Sequence, residues 1–354
     1  MHIVFLTRKY APATGGMETF SMKLNEYCEE PHTTIARGQK KQWHIIWAAP
    51  ILLFHAYRLR KVATQYHLGD LVLAPLAPCI RLFSNAPIVA TVHALELTYN
   101  STLLRALIRW GKKHITHTVA VSEYSKQLAI DAGLTAETVS VITHGVDTPP
   151  AYDNKKGKIY IQSIDPKYPE RPILLTVGRL QKRKGVEWFI RNVLPSLQDM
   201  NPLYLITSSG PELDAIQQAI EETNQQHFVR LLGKVADEEL EALYRHSTAF
   251  IMPNISVPHD AEGFGFVSIE AAIRGLPVFA SDIEGIPSAI HHNKNGILIK
   301  SANSEQWCAV LQDYLQNSKK LQTLAENGKT YTAEHFTWKH SALKYKELFA
   351  SLTS

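Results

Sequence analysis

Apolar runs of three to five residues recur along the chain, separated by longer stretches whose apolar positions fall at helical spacing. In the first half the runs predict strands at 3–7, 70–74, 88–92, 118–121 and 140–142. They resume in the second half at 173–177, 203–207, 229–232, 249–252, 278–280 and 297–299. The intervening segments at 17–28, 122–132, 186–199, 211–223, 237–246 and 267–274 read as amphipathic helices. From 303 on the pattern is helical almost throughout. Strands that are apolar on both faces and alternate with helices belong to parallel sheets covered on both sides. The expected fold class is α/β.

The rhythm breaks once. Residues 148–172 hold a proline- and charge-rich stretch that includes Lys155, Lys156, Asp165, Pro166 and Pro169. A boundary there divides the chain into residues 1–155 and 156–337, and 354 residues suit two domains of about 150 each. Hydrophobic residues at 45% and charged residues at 20% are an ordinary globular balance. The net charge of +4 is too small for a dedicated nucleic-acid binder, and no nucleic-acid partner is expected. Split at residue 150, it resolves into +5 before and −1 after.

Cys28, Cys79 and Cys308 are odd in number and far apart, which fits neither a disulfide framework nor a zinc site. The longest apolar stretch, 45–54, contains Pro50 and falls short of the roughly 20 residues a membrane span needs. The first residues are too short in apolar core for a secretion signal and read as a strand. The expected location is cytoplasmic.

Ligands of open α/β sheets bind beyond the carboxyl ends of strands, so the residues that follow each strand carry the candidate chemistry. After the first strand, Gly15 and Gly16 lead into a helix, where backbone N–H groups favour an anion. Alone, the pair also fits a plain turn. After the strand at 173–177, Arg179 and Lys184 bracket a short turn, and two such cations can converge on one diphosphate. A solvated basic turn is the bland alternative, since Lys182 and Arg183 stand there too. Glu262 and Glu270 frame Gly263-Phe264-Gly265-Phe266-Val267 at a helix start, offering carboxylates for sugar hydroxyls and a positive dipole end for phosphate. A capping acid and a surface glutamate account for the carboxylates but not for the glycines. His93 closes the strand at 88–92, as either a satisfied core histidine or a catalytic one.

Taken in order, Gly15-Gly16, Val177-Gly-Arg-Leu with Lys184-Gly185, Gly233-Lys-Val235 and the Glu-x7-Glu from Glu262 to Glu270 resemble glycosyltransferase family 4. The resemblance runs along most of the chain and is strongest over 173–300. It implies the GT-B fold, two Rossmann-like domains facing across a cleft. Residues 156–337 would bind the donor, and a final helix, 338–354, would cross back to the first domain. It also implies retaining transfer from a nucleotide-diphosphate sugar, a UDP- or GDP-sugar, with no cofactor. Gly16 would present its backbone to the donor diphosphate, and Arg179 and Lys184 would hold it. Glu262 would lie by the transferred sugar, with Phe264, Gly265 and Phe266 lending backbone contacts. Glu270 would bind the ribose, Lys234 and Val235 would flank the base, and His93 would stand near donor sugar and acceptor. The chain departs from the family pattern at Ser208-Ser-Gly-Pro211, at Ile283-Glu-Gly-Ile-Pro-Ser288, and at His144, where asparagine is common.

No Asp-x-Asp occurs, so no metal handle on the diphosphate is expected. Two cations and a helix N-terminus suit the charge that develops on the leaving group. The resemblance implies front-face attack, with the leaving phosphate taking the acceptor's proton. In 102–114, Leu103, Leu104, Leu107, Ile108 and Trp110 share one helical face and Arg105, Arg109, Lys112 and Lys113 the other. Such a helix suits an anionic membrane surface and a sugar or lipid-linked acceptor, or else ordinary core packing. Three rivals to transfer stand: a glycoside hydrolase using Glu262 and Glu270, a nucleotide-sugar isomerase, and a non-catalytic nucleotide-sugar-binding module.

Overall fold

The structure is a computed structural model that describes residues 1–11, 15–37, 45–98 and 100–353. The described residues form two compact units. One comprises Met1–Gly145, His259–Phe264 and the residues from Phe336 on; the other comprises Val146–Pro258 and Gly265–His335.

In the first unit, strands β1 (Ile3–Thr7), β2 (His32–Ala36), β3 (Gln65–Leu68), β4 (Ile88–Val92), β5 (His117–Ala120) and β6 (Val139–Val141) form one parallel sheet. Its order is β2-β1-β3-β4-β5-β6. Every residue of β1 and β4 is buried, as expected of strands covered on both faces. The chain runs outward from β1 to β2 and then returns past β1 to β3. Right-handed crossovers therefore place helix Gly16–Glu26 on one face and helices Ile45–Leu59, Leu76–Arg81 and Thr102–Gly111 on the other. The reversal puts a topological switch point between β1 and β3.

The second unit repeats the plan. Strands β7 (Ile173–Thr176), β8 (Leu203–Thr207), β9 (Val229–Gly233), β10 (Ala249–Met252), β11 (Val278–Asp282) and β12 (Ile297–Lys300) lie in the order β12-β11-β10-β7-β8-β9. Its switch point falls between β7 and β10. Apolar cores cover both faces, one around Phe189, Tyr204 and Trp307 and the other around Leu175, Phe250 and Ile286.

The α/β expectation holds, and three local readings change. The strand expected at 70–74 lies earlier, at Gln65–Leu68, and Leu71–Leu73 is a turn of 3-10 helix. Asp70 initiates that turn, its side chain accepting the Val72 N–H at 2.9 Å. The apolar run after it is buried as helix, a choice that periodicity alone does not make. Strand β2 was not expected, because an edge strand with a single fully buried residue carries little apolar signal. Finally, the units divide between Gly145 and Val146, ahead of the polar stretch. Inside that stretch Asn154–Ile164 is helical, started by Asp153, whose carboxylate accepts from Lys155 N–H.

The C-terminal helix, Trp338–Thr353, returns to the first sheet, as the resemblance implies. Tyr345 reaches Thr91 Oγ1 at 3.1 Å, and Gln65 Nε2 donates to the Phe349 carbonyl at 2.7 Å. Thr91 also meets His67 Nε2 at 3.0 Å, and burial pushes that imidazole down to about 3.

Candidate functional site

In the second unit the candidate residues gather at the β7–β10 switch point. Strand β7 runs into Gly178 and Arg179, an exposed cation that no carboxylate among the described residues pairs with. Residues Lys182–Lys184 form a 3-10 turn that Gly185 ends in the left-handed region at φ +66°. A Cβ at Gly185 would stand 1.9 Å from the Pro253 carbonyl, so the cationic turn rests directly on the end of β10.

The same strand end carries the helix start. Gly265 takes φ +93°, which L side chains rarely adopt, and a Cβ there would lie 3.1 Å from the Met252 methyl. Helix Phe266–Ile273 follows, so the helix's positive end, from Phe266 and Val267 on, begins beside β10. One helical face on, Glu270 is half-buried and accepts from the Tyr244 hydroxyl at 3.2 Å. Burial pushes its carboxyl up to about 7, against the opposing pull of Arg274, whose guanidinium donates to the Glu270 carbonyl at 2.8 Å. Lys234 is exposed and Val235 half-buried after the edge strand β9.

The first unit assembles a different kind of site, also at its switch point. Arg8, after β1, places Nε 2.8 Å from Oδ2 of the fully buried Asp70, after β3. His93, after β4, donates from Nε2 to the Gly69 carbonyl at 3.2 Å. Its backbone N–H donates to Glu96 Oε1 at 2.8 Å across a turn in which Ala94 has φ +85°. Burial raises the Glu96 carboxyl above its ordinary value, and its Oε2 is buried with no hydrogen-bond partner among the described residues.

The segment His259–Phe264 belongs to this unit, and it brings Gly263, next to Glu262 in the chain, against the His93 backbone. A Cβ at Gly263 would stand 2.1 Å from the His93 carbonyl, so glycine is the residue that allows the two backbones to touch. Glu262 itself is buried. Phe264 is buried too, its ring stacked on His144 at 5.2 Å and 19°. Phe20 closes the group, 5.0 Å from His93 and 5.1 Å from His144. Burial holds His144 well below the usual histidine range, and neighbouring His93 lowers it further.

Gly15 initiates helix Gly16–Glu26 in extended backbone, and a Cβ at Gly16 would meet nothing within 4 Å among the described residues. Residues 12–14 of the loop before them lie outside the described residues. A cavity of about 330 Å³ lies between this helix and the C-terminal one, lined by Leu24, Cys28 and Phe349 among others. None of the predicted site residues borders it.

Comparison with known proteins decides what kind of chain this is. Residues 160–331 match the model for glycosyl transferases group 1, and residues 8–149 match that for glycosyltransferase family 4, so together they take in most of the sequence. The chain belongs to the family 4 type of glycosyltransferase. A GDP-mannose-dependent alpha-(1-6)-phosphatidylinositol monomannoside mannosyltransferase of Mycobacterium tuberculosis is 26% identical, over 77% of this chain and 71% of its own. A D-inositol 3-phosphate glycosyltransferase of Jonesia denitrificans is also 26% identical, over 73% of this chain and 64% of its own. Among solved structures, Anabaena Alr3699/HepE in complex with UDP-glucose superposes with TM-score 0.80 at 17% identity, covering 99% of this chain and 100% of its own. Sucrose-phosphate synthase from Thermosynechococcus elongatus gives 0.79 at 19% identity, covering 99% of both chains. At such identities the likeness is one of fold, and the fold is GT-B.

Several residues around this glycosyltransferase's candidate sites escaped sequence reasoning. Arg8 and Asp70 are 62 positions apart and meet only because β1 and β3 are neighbours. Tyr244 reaches Glu270 from the helix Asp237–His246. Glu96 carried one usable signal, its place three residues after a strand-ending histidine, where a carboxylate can accept a turn's N–H.

Proposed function

We propose that this glycosyltransferase moves a sugar from a nucleotide-diphosphate sugar to a hydroxyl acceptor with retention of anomeric configuration, the acceptor being a glycolipid precursor or other lipid-linked sugar. The observation that supports this most is the gathering, around the ends of β7 and β10, of Arg179, the Lys184–Gly185 turn and the helix opened by Gly265. Cations and oriented N–H groups there suit a diphosphate whose charge grows as it leaves. Glu270 would accept from the ribose hydroxyls, Lys234 and Val235 would flank the base, and Gly15 and Gly16 would admit the diphosphate from the other unit. Phe264, Gly265, Phe266 and Val267 would lend backbone to the donor.

His93 and Glu262 would border the transferred sugar. In the step we propose, the bond from the anomeric carbon to the phosphate oxygen breaks while the acceptor oxygen bonds to the same face. The acceptor's proton passes to an oxygen of the departing phosphate. The absence of Asp-x-Asp supports transfer without a divalent ion, and activity retained in excess chelator is the expected result. The donor is a UDP- or GDP-sugar; relatives are named for GDP-mannose and structural neighbours hold UDP or UDP-glucose.

The deciding experiment has two steps. A thermal-shift panel of nucleotide sugars identifies the donor, since a ligand at 100 times its Kd stabilises by about 2.7 kcal/mol. Nucleotide release is then followed with and without acceptor. Release that requires acceptor supports transfer; release by water alone would indicate hydrolysis, sugar conversion without release an isomerase, and binding without turnover a binding module.

A further inference from the structure

The outer surface of the first unit has an imbalance that its fold does not require. Between residues 31 and 122 there are 11 Lys and Arg but only two carboxylates, Asp70 and Glu96, which are 0% and 4% exposed. Over 92 consecutive residues, therefore, no acidic side chain reaches the surface. Carboxylates return only with the next helix, Glu123–Asp131.

Apolar side chains are exposed in the same stretch. Helix Thr102–Gly111 satisfies its sheet with Leu104 and Ile108, which pack into the core. Leu103, Leu107 and Trp110 point elsewhere and are 70%, 39% and 51% exposed. The single apolar face read from the sequence is thus two faces, one buried and one open. On the neighbouring helices of the same side of the sheet, Phe54 is 58% exposed and Leu82, just past Leu76–Arg81, 86%. Cations are exposed on the same helices: Arg60 sits 3.9 Å over the Tyr57 ring, and Arg105 and Arg109 are exposed on the flank of helix Thr102–Gly111 opposite Leu107 and Trp110.

We infer that this side, formed by helices Ile45–Leu59, Leu76–Arg81 and Thr102–Gly111, docks on an anionic lipid bilayer. The inference rests on the proposed lipid-linked acceptor, whose headgroup the docked enzyme would meet at the interface. Charge alone would serve any polyanion. Exposed Trp110, Leu103 and Leu82 distinguish a bilayer, because apolar surface gains only where water is left behind. No helix among the described residues is long and apolar enough to cross a membrane, so the chain would lie on the surface rather than span it.

Co-sedimentation of the full chain with phosphatidylcholine vesicles, with and without phosphatidylglycerol, tests this at low and high salt. We expect binding only to the phosphatidylglycerol vesicles, lost at high salt. Arg105→Gln with Arg109→Gln should weaken it roughly twenty-five-fold, two charges at about fivefold each. Leu103→Ser with Trp110→Ser should weaken it at least about tenfold while leaving nucleotide-sugar thermal shifts and far-UV dichroism unchanged. Equal binding to neutral vesicles, no binding at low salt, or binding indifferent to both double variants would overturn the inference. So would tight retention on a soluble polyanion that the Leu103/Trp110 variant leaves intact while vesicle binding is weak. If the variants release the chain from vesicles but no nucleotide sugar stabilises it, the docking surface stands and the transfer reading fails.

Discussion

The two six-stranded sheets follow one plan, each with a switch point where candidate residues collect, yet they finish those points differently. At β7 and β10 the groups are cations and a helix start: an exposed Arg179, the Lys182–Lys184 turn, and backbone N–H groups from Phe266 on. At β1, β3 and β4 they are buried and mutually bonded: Arg8 on Asp70, His93 on Gly69 and Glu96, Phe264 on His144. A cationic arrangement binds whatever carries the opposite charge, while a buried one fixes one side chain's position. This contrast suits a donor diphosphate, recognised by charge, on one side, and a reacting carbon, recognised by geometry, on the other.

The largest effect should come from the cationic site. If Lys184 is one of two cations on the leaving group, as proposed, Lys184→Ala should lower turnover tenfold to a thousandfold, roughly the range for a single charge stabiliser. Melting temperature read alongside separates a lost charge from a disturbed turn; kinetics equal to the parent enzyme would remove Lys184 from the site. The buried site should break by displacement instead. Gly263→Ala sets a methyl 2.1 Å from the His93 carbonyl, and backbone cannot yield without moving Glu262. A shift of about 1 Å costs on the order of a hundredfold in turnover. Nucleotide affinity measured by calorimetry should change far less, and a parallel loss of both would erase the proposed division of labour.

How far the contrast was legible in the sequence follows from its physics. Strands buried on both faces appear as unbroken apolar runs, and residues placed directly after such runs are identifiable without coordinates. Arg179 stands directly after such a run, and Lys184, Glu262 and Glu270 are candidates for their place between a strand end and a helix or in its first turns. What was not legible depends on neighbours distant in sequence. The Arg8–Asp70 contact needs the β1–β3 adjacency, and Asp70 was itself placed in a strand, because Leu71–Leu73 is as apolar as one. The helix at 102–111 was read as one apolar face and one basic face. Its division into a buried and an open apolar stripe depends on where the sheet lies.

Glu270 sharpens the cationic site through pH. Its carboxyl, pushed up to about 7, is mostly protonated at pH 6 and mostly ionised at pH 8. A ribose hydroxyl donates best to the ionised form, so donor affinity should rise about tenfold over that interval, following the ionised fraction. Stability should move the opposite way. The folded state holds the proton more tightly than the unfolded one, so this group's contribution declines as pH climbs from its ordinary value of 4.5 to about 7. Glu270→Gln should flatten both trends. An affinity in the parent chain that is flat across pH 7 would exclude the carboxylate from donor recognition.

The smallest effect gives the cleanest reading of the first unit's part in holding the donor. Gly16 begins a helix, and a methyl there would touch nothing within 4 Å among the described residues. None of those residues asks for glycine. Alanine is the better helix former, so Gly16→Ala should leave stability unchanged or raise it by up to about 1 kcal/mol. If the donor diphosphate approaches this backbone, the methyl would occupy space the phosphate needs. KM for the nucleotide sugar should then rise severalfold, with acceptor KM unaltered. Because the substitution is neutral or favourable for folding, such a loss can come only from the bound state. An unchanged KM would restrict diphosphate binding to Arg179, Lys184 and the helix at Gly265, leaving the first unit to act through His93 and Glu262 alone.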